Sequence, residues 1–282
     1  MSIHIVTDSA SDIVAPADPR LTVVPLTVTF GTTSYKDGTD LSHERFFELL
    51  TTEKELPVTS QVTPFAFAEE FDRVRAADPQ AQILVLPLTS KLSGTCESAY
   101  VAAEGRPYVR VVDSQHLCLS QRALVEYALR LVDEGLGFEE LVAEVEAARE
   151  QVRLVALLDT LEYLRRGGRV PAVVGFVGDL VALKPVIGVR DGELVMIGKA
   201  RGSKNGRNQL RQQVEAEGVD WDKPVRLAYT ADGIKLLHKY IEDNADLWDG
   251  HYTRDELPIG SVGATIGTYA GPGAIAVAFF KA

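Results

Sequence analysis

Side chains that most often announce a chemistry are scarce in this 282-residue sequence: two cysteines, five histidines, two methionines and two tryptophans. Cys96 and Cys118 make neither a disulfide framework nor a paired-cysteine metal motif. His4, His43, His116, His238 and His251 include no metal-spaced pair, so no metal site is expected. Positive charge is also short, with 29 Lys+Arg against 40 Asp+Glu. A net charge of −11 and a pI near 5.0 exclude a general nucleic-acid binder, which needs clustered cations to neutralise phosphate. No apolar run approaches the ~18 residues that span a bilayer. The longest runs, such as Ala274–Phe280, are strand-length, and no stable membrane insertion is expected. The opening Met-Ser-Ile-His-Ile-Val-Thr-Asp lacks the basic segment of a secretion signal, so the expectation is a cytoplasmic protein. The G-x-S-x-G nucleophile elbow and the G-x-x-x-x-G-K-[ST] phosphate loop are both missing, as are internal repeats.

What is present is an ordinary globular composition, 46% hydrophobic, in a chain long enough for two domains. Up to about residue 150, β-branched runs alternate with helical patterns. Ile3–Val6, Thr22–Val24, Leu26–Phe30, Ile83–Leu86 and Val109–Val112 read as strands. Helices are predicted after Ser42, after Thr63-Pro64, through Ser98–Glu104, and over Leu117–Val132 and Phe138–Glu150. Thr63 reads as an N-cap and Pro64 as a first helical residue. Such alternation implies parallel pairing. From Val152 the pattern changes. Strand Val152–Leu157 precedes a short helix Leu161–Arg166 that stops at Gly167-Gly168. Lys184–Val189 and Leu194–Ala200 flank Asp191-Gly192, a hairpin signal. Helices Ser203–Glu217 and Ile234–Asn244 alternate with strands Val225–Tyr229 and Ile275–Phe279. The expected architecture is α/β in two domains: residues 1–150 with a mainly parallel sheet, and residues 151–282 as a mixed α/β domain.

Charge divides at the same place. Residues 1–150 carry 12 basic and 24 acidic side chains, whereas residues 151–282 carry 17 and 16. Within the second part, 151–211 has 11 basic against 5 acidic residues. Arg165, Arg166 and Arg169 surround Gly167-Gly168, joined by Lys199, Arg201, Lys204, Arg207 and Arg211. Singly these read as a solvated face; as a group they suit an acidic partner or an anionic ligand.

Three small-residue polar clusters are the candidate sites: Val58–Pro64, Pro87–Thr95 and Gly267–Gly273. Each offers hydroxyls and backbone N–H groups of the kind that hold a carboxylate or phosphate. Each also has a structural explanation, since Ser and Thr before helices are ordinary caps and Gly271 and Gly273 supply turn geometry. Asp8 and Asp113 follow strands and read as turn caps. Cys96 and Cys118 read as small buried hydrophobes. A serine nucleophile at Ser93 has no histidine in any of the three clusters to activate it.

The order of these segments resembles the DegV family of fatty-acid-binding proteins, which includes the lipid-carrying subunits of bacterial fatty acid kinase. The matching segments are Ile5–Ser9 with Asp12; Val24-Pro25-Leu26; Tyr35–Gly38; Thr59-Ser60-Gln61; Leu92–Thr95 with Ser98-Ala99; Val112-Asp113-Ser114; Leu161 to Leu164 with Gly167–Val170; Leu183-Lys184-Pro185; Asp191-Gly192; Arg201; and Gly267-Thr268 with Gly271-Pro272-Gly273. No one of them is specific; their joint order is.

The resemblance implies two α/β domains enclosing one long-chain fatty acid, such as palmitate, in an apolar tunnel between them. It implies a carboxylate site at Thr59, Ser60 and Ser93, with the Gly94 amide as a further donor. It implies no catalysis and no cofactor beyond the bound fatty acid. A separate kinase catalytic subunit would phosphorylate the bound carboxylate to an acyl phosphate for phospholipid synthesis. In those terms Arg169, with Arg166, falls to partner docking, and Arg201 to the carboxylate or phosphate end. Two departures stand out. Tyr269 occupies the position where the family often has His; a tyrosine donates a hydrogen bond but brings no imidazole chemistry. Val62 follows Thr59-Ser60-Gln61 where a proline is usual. The alternatives are a lipid-bound regulatory or scaffolding protein, and a hydrolase or phosphotransferase using Ser93.

Overall fold

The computed structural model describes residues 2–170 and 183–282; part of the basic 151–211 segment lies outside them. Strand β1 (Ile3–Asp8) leads through a 3-10 turn to β2 (Leu21–Val24), β3 (Thr27–Phe30) and β4 (Thr33–Lys36). Then come α1 (His43–Thr52), β5 (Val58–Ser60), α2 (Pro64–Ala77), β6 (Gln82–Leu86), α3 (Thr95–Ala103), β7 (Val109–Val111), α4 (Cys118–Asp133) and α5 (Phe138–Arg149). The remainder is β8 (Val152–Leu157), α6 (Glu162–Arg166), β9 (Leu183–Arg190), β10 (Glu193–Arg201), α7 (Gly202–Glu217), β11 (Arg226–Tyr229), α8 (Ile234–Asp243), α9 (Ala245–Trp248), β12 (Ile259–Ser261), α10 (Ala264–Ala270) and β13 (Ile275–Phe280).

The expected parallel sheet is present, with order β2-β1-β6-β7 and every pairing parallel. Thr63 caps α2 by accepting from the Ala66 amide, with Pro64 at its first turn. Asp191 and Gly192 both take positive φ, 52° and 81°, as a tight two-residue hairpin turn requires.

Three local readings are corrected. Residues 33–36 and 58–60, unassigned in the sequence reading, are strands that flank β3 in an antiparallel sheet of order β4-β3-β5. These strands are too short and too polar to show a period. Gly267–Ala270, given only as part of the third polar cluster, is the second half of a helix, α10; Gly271 and Gly273, at φ 70° and 76°, form the turn after it. Third, the helix expected from Ser98 begins at Thr95, immediately after Gly94.

The mixed sheet runs β10-β9-β8-β13-β11-β12, antiparallel except for β11 with β12. Its two faces are set by strand alternation. Val155, Leu157, Val186, Leu227, Val277 and Phe279 point into a core with Leu210, Val214, Leu237 and Tyr240 of α7 and α8. Leu154, Ala156, Ile187, Ala228, Ala276 and Ala278 point the other way, into a core shared with Val6, Leu26, Phe67, Val85 and Ala99 of the first 150 residues. Opposed registers place Ala228 beside Ala276, Ala276 beside Ala156, and Ala156 beside Ile187. Three neighbouring strands thus carry methyl groups in one row, and a sheet face with so little side-chain volume leaves a trough.

Candidate functional site

That trough is the floor of a cavity of about 380 Å³, within the size range of small-molecule sites. Leu154, Ala156, Ile187, Leu194, Ala228 and Ala276 line it from the mixed sheet. Strand β5 and the residue after it, the loop before α3, and α10 supply the polar part: Thr59, Ser60, Gln61, Ser93, Gly94 and Tyr269. All three polar clusters of the sequence therefore converge on one cavity.

Their hydrogen bonding leaves protons to spare. Thr59 Oγ1 and the Tyr269 hydroxyl are 2.6 Å apart. Two hydroxyls share one hydrogen bond, so one proton of the pair stays free for a ligand. Ser93 Oγ accepts from the Thr95 amide at 3.2 Å and lies 2.9 Å from Thr95 Oγ1. Thr95 is buried and also accepts from the Val62 amide. If Thr95 donates to Ser93, the Ser93 proton is again available to the cavity. Gly94 precedes α3 with no side-chain cap, so the positive end of that helix lies beside Ser93. A methyl group on Gly94 would stand 2.2 Å from Gln61 Oε1, and Gln61 is itself held by its bond to Ser98 Oγ at 2.9 Å.

Arg169 also lines the cavity, exposed, with its guanidinium 5.2 Å from the centre of the Tyr269 ring. Its Nη1 donates to the Gly167 carbonyl at 2.8 Å. Gly167 lies against the same tyrosine, where an added Cβ would stand 2.5 Å from ring carbons. Arg201 is exposed at the start of α7 and does not line the cavity, and Arg166 is exposed with Glu162 at 3.4 Å. Among the described residues the cavity's arginine is thus Arg169, the one that the resemblance assigned to docking.

Asp8 and Asp113 do act as caps. Asp8 accepts from the Ala10 amide at 3.0 Å and also reaches across to the Leu88 amide at 2.7 Å, fixing the start of the Ser93 loop. Asp113 accepts from Gln115 and Ser90. Thr89 donates to the Gly192 carbonyl at 3.0 Å, which ties this loop to the β9–β10 turn. Burial pushes the Asp8 carboxyl up to about 6 and the Asp12 carboxyl up to about 7. Cys96 and Cys118 are buried and free, and burial raises both thiols, Cys96 to about 12. Cys118 lines the cavity all the same. Among the described residues, no acidic, histidine or cysteine group of three or more is placed to hold a metal.

The alanine floor escaped the sequence reading. Its signal was the alternation Leu154-x-Ala156-x-Leu158 and Ala274-x-Ala276-x-Ala278, which marks one face of each strand but not that the faces meet. Thr95, inside the second candidate cluster, meets the site through its contact with Ser93 Oγ.

Comparison with known proteins agrees along the whole chain. A family model described as an uncharacterised protein of the DegV family matches residues 2–282. A DegV domain-containing protein of Caldanaerobacter subterraneus subsp. tengcongensis is 37% identical over 290 aligned residues, covering 98% of each chain. A solved DegV family protein of Thermus thermophilus, described as fatty acid binding, is 32% identical with a TM-score of 0.86 over 100% of both chains. A solved Eubacterium eligens relative loaded with heptadecanoic acid is 26% identical with a TM-score of 0.84, again over 100% of both.

Proposed function

The chain belongs to the DegV family, and on that premise we propose that it binds a single long-chain fatty acid as a carrier without catalysis of its own. The acyl chain lies along the Ala156–Ala228–Ala276 floor, and the carboxylate meets Ser93, Gly94, Thr59 and Tyr269, with Ser60 at the rim. The observation that carries this reading is one cavity with a hydrocarbon floor and, on its other wall, a Thr59–Tyr269 hydroxyl pair that leaves one proton unspent. The relatives bound to or described with fatty acids support it.

The energetics divide the labour. At ~0.8 kcal/mol per buried CH₂, a long chain contributes roughly 10 kcal/mol before association and ordering costs. The hydroxyls, the α3 dipole and Arg169 then serve to orient a carboxylate taken out of water. Within this reading the domain boundary falls near residue 150, so the cavity is an interdomain one. Arg166 and the neighbouring basic surface dock a separate kinase that converts the carboxylate to an acyl phosphate, and Arg169 serves the ligand as well as the docking face. Arg201, away from the cavity, falls on the kinase side.

Mass spectrometry of lipid extracted from purified protein tests the carrier reading. One acyl chain per protein molecule is expected; its repeated absence, together with no saturable binding of added palmitate, overturns it.

A further inference from the structure

Helix α10 is fastened at its beginning by carboxylates that come from the opposite half of the chain. The Ala264 and Thr265 amides donate to the two oxygens of Asp37, each at 3.0 Å, across 227 and 228 positions of sequence. The preceding Gly263 amide donates to Asp12 Oδ1 at 2.8 Å. Asp37 is 2% exposed and is itself fixed by the Ser9 hydroxyl at 3.1 Å, while Ser9 accepts from the Leu26 amide. The first amides of a helix have no partner within it, and an anion beside them is stabilised by the helix dipole. The flank of α10 is fixed too, since a methyl group on Gly267 would stand 2.7 Å from Phe46 and 2.9 Å from Phe47.

From Ala264 to Tyr269 is about 7.5 Å of helix at ~1.5 Å per residue. That is too short to bend, so displacement at one end is delivered to the other. The far end carries the Tyr269 hydroxyl, 2.6 Å from Thr59 Oγ1. Resting on the fatty-acid reading above, we infer that Asp37 is a positioning residue for the carboxylate end of the cavity: by holding the start of α10 it sets where Tyr269 meets Thr59, and so how well a carboxylate is told from an uncharged head group.

The test compares two ligands of equal chain length, hexadecanoate and 1-hexadecanol, on wild type, Asp37→Asn, Tyr269→Phe and the double variant. Asparagine turns an amino group toward one of the two amides and disturbs the clamp. The ratio of acid to alcohol affinity is expected to fall roughly fivefold in Asp37→Asn, and the loss should vanish in the Tyr269→Phe background because both changes act on one contact. Ala264→Pro is the second variant, in case Asp37→Asn fails to fold. It deletes one donor to Asp37 at a first helical position, where proline is tolerated. Gly263 before it is already extended, at φ −76° and ψ 177°. It should shift the ratio in the same direction, by less. Equal losses for acid and alcohol, or a loss that adds in full to that of Tyr269→Phe, overturn the inference while leaving the fatty-acid reading intact. Wild-type protein that binds neither ligand overturns both.

Discussion

Across the cavity, the mixed sheet presents Ala156, Ile187, Ala228 and Ala276, whereas the other wall presents Thr59, Ser60, Ser93 and Tyr269. The sheet wall is one continuous surface whose shape follows from strand register. The polar wall is assembled from β5, the Ser93 loop and α10, and needs side-chain bonds such as Asp8 to Leu88 and Asp37 to Ala264 to hold its parts in place. On the fatty-acid reading, affinity and orientation thus rest on different kinds of structure: one on volume left vacant by small residues, the other on placed donors.

The largest expected effect is on the sheet wall. Ala276→Leu fills the middle of the floor and displaces about four methylenes, worth ~3 kcal/mol, so palmitate affinity should fall ~100-fold by titration. Acid and alcohol ligands should lose equally; a loss confined to the acid would mean that the two walls have been assigned wrongly. Ser93→Ala does the reverse. Losing a hydrogen bond to a charged group costs about 1.5–3 kcal/mol, a ~10-fold or larger drop for the acid and almost none for the alcohol. Unchanged palmitate affinity would remove Ser93 from the head-group site.

The parts that hold the polar wall should also answer to pH. The polar wall leans on Asp12, whose carboxyl is raised from 3.8 to about 7 by burial. A carboxyl raised in the folded state gives stability that is fully present below pH 3.8 and is lost as pH climbs toward 7. His116, lowered from 6.5 to about 4 by burial, runs the other way, since its folded form resists protonation as pH falls. Asp12→Asn keeps an acceptor for Gly263 and cannot ionise. Its stability advantage over wild type in urea unfolding should therefore grow by a few kcal/mol between pH 4 and pH 8, with the His116 contribution common to both proteins. A constant difference across that range would show that Asp12 is ionised throughout. The smallest effect belongs to Arg169→Ala: an exposed cation at the mouth should change palmitate affinity about threefold at low salt, fading at high salt. A salt-independent loss would point instead to its stacking on Tyr269.

Much of the frame was legible because its signals are local. Thr63-Pro64 announced α2, and Asp191-Gly192 announced the β9–β10 hairpin. The three polar clusters were also visible as residues, and their order pointed to the family. Their convergence was not, because it depends on contacts such as Thr59 to Tyr269, 210 positions apart. Helix α10 carries no helical signal in the sequence, since three glycines within seven residues look like breakers, yet Gly267 is there to let Phe46 and Phe47 approach. The alanine row needed register between strands, which no single strand encodes.

The central place of β13 in the mixed sheet bears on timing during synthesis. Strands β8 to β12 emerge from the ribosome before it, yet β13 lies between β8 and β11 and brings Ala276 to the floor. Until it inserts, β8 and β11 lack a shared neighbour and the trough has no middle. The parallel sheet, complete by Val111, can form while the rest is still being made. On the fatty-acid reading, the floor on which the acyl chain lies is complete only after translation has passed residue 280. A chain halted short of that point lacks Ala276 and the row of methyl groups that joins β8 to β11.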